Sequence, residues 1–165
     1  MTKNALAGML AAFGLAAAAP AVHAQTLIPL SAEVRLDAGI PTGGSRQDFD
    51  TGVGFAGNLG LTLTPRFQVY GGYSTQRFNN KIGGGHGTDE GFDVGGKAFV
   101  GTGGGVTNTY VQFGALFHHG STGLEGGLGW QYGLGSGLSL NPSVRYRSIE
   151  GLHYVTAGVG VELKL

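Results

Sequence analysis

Glu33, Arg35 and Asp37 alternate with Val34 and Leu36, and the same alternation returns down the chain. Ten charged residues occupy such positions: the acids Glu33, Asp37, Asp93, Glu125 and Glu162, and the bases Arg35, Lys97, Arg145, Arg147 and Lys164. Carboxylates accept hydrogen bonds and guanidinium or ammonium groups donate them, so a five-and-five set can neutralise itself. Self-neutralisation matters where water is scarce, because a buried ion is costly unless paired and hydrogen-bonded. The imidazoles of His86, His118, His119 and His153 could suggest a metal site, but they come from different segments. Rim polarity is the expected reading, with neither metal nor cofactor. Gly83-Gly84-Gly85 and Gly103-Gly104-Gly105 are phosphate-cradle look-alikes, and neither leads from a strand into a helix.

The elements that carry the charges have a period of two, which is the signature of strands. Runs fall at about 31–40, 52–63, 67–77, 91–101, 108–118, 124–132, 138–147 and 154–165. In the first, Ala32, Val34, Leu36, Ala38 and Ile40 share one face; in the last, Val155, Val159, Val161, Leu163 and Leu165 do. Thr64-Pro65-Arg66 reads as a tight turn, using the fixed φ of proline. Pro142 falls on the apolar face of the seventh run, where it cannot donate to a ladder. It predicts either a bulge or a later strand start. Eight runs of about ten residues make an even-numbered antiparallel meander, and 9–11 tilted residues suffice to cross a bilayer.

Two solvents are being sorted, and composition says which lies outside. Charged residues are only 12% of the chain, and its formal net charge is zero, so no basic surface points to nucleic acid. The polar face carries glycines such as Gly95, Gly114, Gly129, Gly158 and Gly160. An eight-stranded barrel is only just wide enough inside for side chains, so glycines there make room for long charged ones. Apolar-face aromatics sit towards strand ends: Phe67, Trp130 and Tyr132 at one rim, Phe55, Phe92, Phe117 and Tyr146 at the other. Ring side chains favour the depth of a membrane interface. A soluble barrel with its grease inside is therefore the lesser reading.

The N-terminus agrees. Lys3, the apolar run Ala5–Ala19 and Val22-His23-Ala24 before Gln25 fit a secretory signal cleaved after Ala24. The run is shorter than the roughly 20 residues of a membrane anchor. The expected division is a signal peptide at 1–24 and a barrel domain at 25–165. The chain has no cysteine, so no disulfide framework is available.

Taken together these features resemble the small outer-membrane β-barrel proteins of Gram-negative bacteria, namely the OmpA transmembrane domain and the OmpX/Ail-like group. The last strand is the most motif-like part. Thr156, Gly158, Val161 and Leu163 fit the family's assembly signal, and Leu165 departs from its usual terminal aromatic. The resemblance implies an all-β, eight-stranded, up-and-down transmembrane barrel, monomeric and outer-membrane located. Its partners would be outer-membrane lipid and lipopolysaccharide, and the barrel assembly machinery through the last strand. The implied role is non-enzymatic, in structure, envelope integrity or surface contact, with loops 41–50 and 79–90 the segments long enough to meet a ligand.

Two alternatives accompany that reading. Lipid A deacylases, barrels of similar size, use a His-x-Ser pair near the rim, and His119-Gly-Ser121 matches the spacing, with Glu125 as the orienting acid. A serine nucleophile needs such a base within hydrogen-bond reach, itself held by a third group. Thr122 stands where that group has Asn, and Glu125 comes early. The other alternative is a narrow pore, which paired lumen charges would obstruct. Arg77, on the lipid-facing phase beside Lys81, suits a contact with lipopolysaccharide phosphate.

Overall fold

A computed structural model describes residues 29–81, 83–100 and 107–165. The expected signal peptide at 1–24 and most of the turn at 102–107, with its Gly103–Gly105 triplet, lie outside the described residues. Eight strands follow in order: β1 (Leu30–Pro41), β2 (Phe49–Thr64), β3 (Phe67–Asn80), β4 (His86–Val100), β5 (Thr107–His118), β6 (Ser121–Gly135), β7 (Leu138–Ile149) and β8 (Leu152–Lys164). Each pairs antiparallel with the next, and β1 pairs with β8, closing the barrel. The seam sets Glu33 opposite Glu162, Arg35 opposite Gly160 and Asp37 opposite Gly158. Closure leaves no strand edge unpaired, which is what lets a sheet sit in lipid.

The two faces separate as the alternation requires. Leu36 is 71% exposed and Val53 72%, whereas their neighbours Arg35 and Gly54 turn inward. Such exposure of large aliphatics all round a closed sheet is expected of a protein whose outer solvent is hydrocarbon.

Several strands run longer than hydropathy alone indicates. β3 reaches Asn80 and β4 starts at His86, so the loop expected at 79–90 shrinks to 81–85. Gly83, Gly84 and Gly85 turn there with positive φ, a conformation open to glycine without strain. The turn between β5 and β6 is only His119 and Gly120. Loop 41–50 holds a short helix, α1 (Ser45–Asp48), which ties it down across the barrel end. Ser45 donates to the Gly151 carbonyl and accepts from the His153 N–H, and the Thr42 N–H reaches the His153 carbonyl. Pro142 neither bulges nor delays its strand. It stays in register with Val159 of β8, and the β6–β7 ladder passes from Gly129–Ser143 to Tyr132–Leu140 without the two pairs between. The missing N–H is thereby accommodated in one gap.

Candidate functional site

The inward face builds one continuous polar filling. Nine of the ten charges singled out by alternation are buried in it. Lys164 is the exception: it stands exposed at the end of β8, by the Ser136–Gly137 turn, where the wall no longer encloses the side chain. Asp89 belongs inside instead, carried in by the longer β4.

Glu125 is the hub. Tyr70 and Gln112 donate to its Oε1 at 2.5 and 2.7 Å, while Arg145 and Arg147 donate to Oε2 at 3.3 and 2.9 Å. Each arginine then links onward, Arg145 to Asp37 and Arg147 to Asp93, both at 2.5 Å. Towards the chain termini, Glu33 receives Lys97 at 2.5 Å and Arg35 at 3.1 Å, and Arg35 also donates to Ser143. The Lys97 ammonium lies 5.2 Å from the centre of the Tyr110 ring, within cation–π range. Glu162 has no ion-pair partner within hydrogen-bond reach among the described residues; it takes amide donors from Gln68, Gln131 and Asn141 at 2.9, 3.1 and 2.7 Å. Glycine makes this packing possible. A Cβ at Gly129 would lie on the Tyr110 ring, and one at Gly158 on the Asp37 carboxylate.

At the loop end the filling changes character. Tyr154 donates to Asp89 at 2.6 Å, and its ring meets Phe78 edge-on at 5.0 Å. Phe49 covers Phe78 in turn, 6.0 Å between centroids. Aromatic residues thus cap the polar column.

The serine-nucleophile alternative needs three side chains that bond to one another, and here each has a different partner. Ser121 Oγ donates to Glu150 at 3.0 Å; His119, in the turn, lies 3.8 Å from Glu90; Glu125 is buried in the lumen with its arginines. Alternation missed a different pair, Ser148 Oγ and His153 Nδ1 at 2.9 Å, facing outward beside Tyr146. No carboxylate bonds that ring among the described residues, so it lacks the orienting third member. The histidines have separate partners: His86 meets Asn79, His118 meets Asp89 and Asp93, and His153 meets Ser148. Among the described residues no group of three His, Asp or Glu side chains is arranged to hold a metal ion.

On the outer wall, Phe92, Phe117, Tyr146, Trp130 and Tyr132 are exposed, with Phe55 and Phe67 half-exposed. Tyr73 and Phe92 meet edge-on at 5.5 Å. On β8, Val161 and Leu163 face out while Thr156 and Gly158 face the lumen, and Leu165, just past the strand, is exposed. Arg77 is exposed opposite Val53 and Thr88, and Lys81 donates to the Arg46 carbonyl at 2.7 Å, which gathers basic groups at this rim.

A closed eight-stranded barrel, greasy outside and polar within, has the architecture of a transmembrane β-barrel. More particularly, the fold is that of the small outer-membrane barrels of Gram-negative bacteria. Neisserial surface protein A matches with TM-score 0.63 at 12% identity, over 82% of this chain and 97% of that one. The N-terminal barrel of Pseudomonas aeruginosa OprF gives 0.54 at 17% identity, covering 82% and 97%. Ail, the attachment invasion locus protein of Yersinia pestis, gives 0.53 at 13%, covering 83% and 97%. No family model matches the sequence, and no curated protein does.

Proposed function

We propose that this chain is a closed, non-enzymatic, monomeric barrel of the bacterial outer membrane, serving envelope structure and surface contact. The observation that carries the reading is the lumen: Glu125, buried and bonded by four side chains from three other strands, blocks the path a solute would take. A pore needs a continuous aqueous route, and cross-braced charges fill the axis here. The rim residues Arg77, Lys81 and Arg46 suit phosphate groups of lipopolysaccharide. Ail has been crystallised in complex with the heparin analogue sucrose octasulfate, which supports reading these basic residues as an anion contact. The final strand, with Thr156, Gly158, Val161, Leu163 and Leu165, would deliver the chain to the assembly machinery. Membrane fractionation with unboiled gel electrophoresis tests the reading. An outer-membrane band that shifts on boiling is expected; a soluble periplasmic pool would overturn it.

A further inference from the structure

The buried charges balance poorly without a histidine. Among the described residues the lumen buries six carboxylates, Glu33, Asp37, Asp89, Asp93, Glu125 and Glu162, against four permanent cations, Arg35, Lys97, Arg145 and Arg147. His118, 1% exposed, lies between two of those acids. Its Nδ1 stands 2.6 Å from Asp89 Oδ1, and its Nε2 stands 2.7 Å from Asp93 Oδ1. A carboxylate offers only lone pairs, and a neutral imidazole has one N–H and one lone pair. A neutral ring would therefore set a lone pair against an anionic oxygen at one of the two contacts. Both contacts are hydrogen bonds only when the ring carries both protons.

We propose that His118 is an imidazolium at neutral pH and acts as a proton-held latch on the loop end of the barrel. The groups that face it come from several strands. β4 supplies Asp89 and Asp93; β7 supplies Arg147, which donates to Asp93 at 2.5 Å; β8 supplies Tyr154, which donates to Asp89 at 2.6 Å. Glu125 of β6 and Ser74 of β3 hold the other side of Arg147, at 2.9 and 3.0 Å. The ring thus ties β5 to both acids of β4, and through them to β7 and β8. Removing its second proton takes away one donor and leaves that carboxylate short of a partner. Phe78 and Phe49 cover this layer, so water is poorly placed to replace the lost bond. The expected consequence is local opening of β4 and β5 at the loop end, with the rest of the barrel closed.

Nitrogen-resolved NMR of histidine-labelled protein in micelles tests the protonation. At about pH 7.5, where an ordinary imidazole is mostly neutral, two N–H signals are expected for His118; one N–H would overturn the proposal. Amide exchange tests the latch. In His118→Gln, exchange at Asp89–Asp93 and Leu116–His118 should rise about tenfold against that at the terminus end; unchanged rates would overturn the latch. Should the variant not fold, the wild-type protein gives the same answer. Exchange at those amides, taken as a ratio to the terminus-end amides that share the base-catalysed rise, should accelerate at the alkaline pH where the second N–H signal disappears, and an unchanged ratio through that point would overturn it.

Discussion

Glu125 shows how much depends on single atoms in a lumen of this width. Its two oxygens carry Tyr70, Gln112, Arg145 and Arg147, so a neutral amide in its place must turn an N–H towards one pair of donors. Breaking a buried charged pair on one side costs about 3–5 kcal/mol, because the partner ion stays desolvated. Glu125→Gln should therefore lower the urea midpoint of unfolding in detergent, and an unchanged midpoint would mean that the groups are solvated independently. Ser121 is the contrasting case. It is half-exposed and bonded to Glu150, so Ser121→Ala should leave stability within about 0.5 kcal/mol, as for most surface changes. The acylation state of lipid A in cells expressing the variant should match that of cells expressing the unmodified chain. A difference would restore the catalytic reading.

At the scale of the strand, what hydropathy reveals and what it hides have one cause. Where the outer wall touches hydrocarbon, Leu36, Val53 and Val159 must be apolar, and alternation marks β1, β2 and β8 plainly. Beyond that zone Arg77, Thr88 and Glu90 face outward, so the two faces look alike in sequence although the ladder continues. Asp89 was hidden for that reason in an expected loop, and His118, its partner, read as rim polarity. Lys164 erred the other way: its phase is inward, but the wall ends beneath it. The pairing of Glu125, Arg145 and Arg147 was legible as charge balance, whereas the amide cradle of Glu162 was not, since Gln68, Gln131 and Asn141 carry no charge to count. The hydrocarbon zone itself is testable. Leu36, in the middle of β1, should tolerate Phe, whereas Leu36→Arg should cost about 2–4 kcal/mol, the penalty for a cation near the bilayer midplane. Refolding into vesicles along a denaturant series would measure it; an equal response to both substitutions would place Leu36 outside the lipid.

On the proposed function the whole molecule has two sealed boundaries, a closed ladder and a plugged lumen, and they fail independently. The ladder depends on backbone pairing from β1 round to β8, so it survives changes that only disturb side chains inside. The axis depends on Arg145 and Arg147, which join Asp37, Glu125 and Asp93 across the barrel. Replacing both arginines with alanine leaves those three carboxylates facing space that the guanidinium groups had filled. Water entry is the least costly relief, because unpaired buried carboxylates are strongly penalised in a dry interior. In planar bilayers the unmodified barrel should show no sustained openings, while the double variant should pass cations in preference to anions, drawn by the uncovered acids. Both proteins should still shift on boiling in gels, which separates an opened lumen from an unfolded chain. Steady conductance by the unmodified barrel would reverse the assignment and make the charge column the lining of a channel.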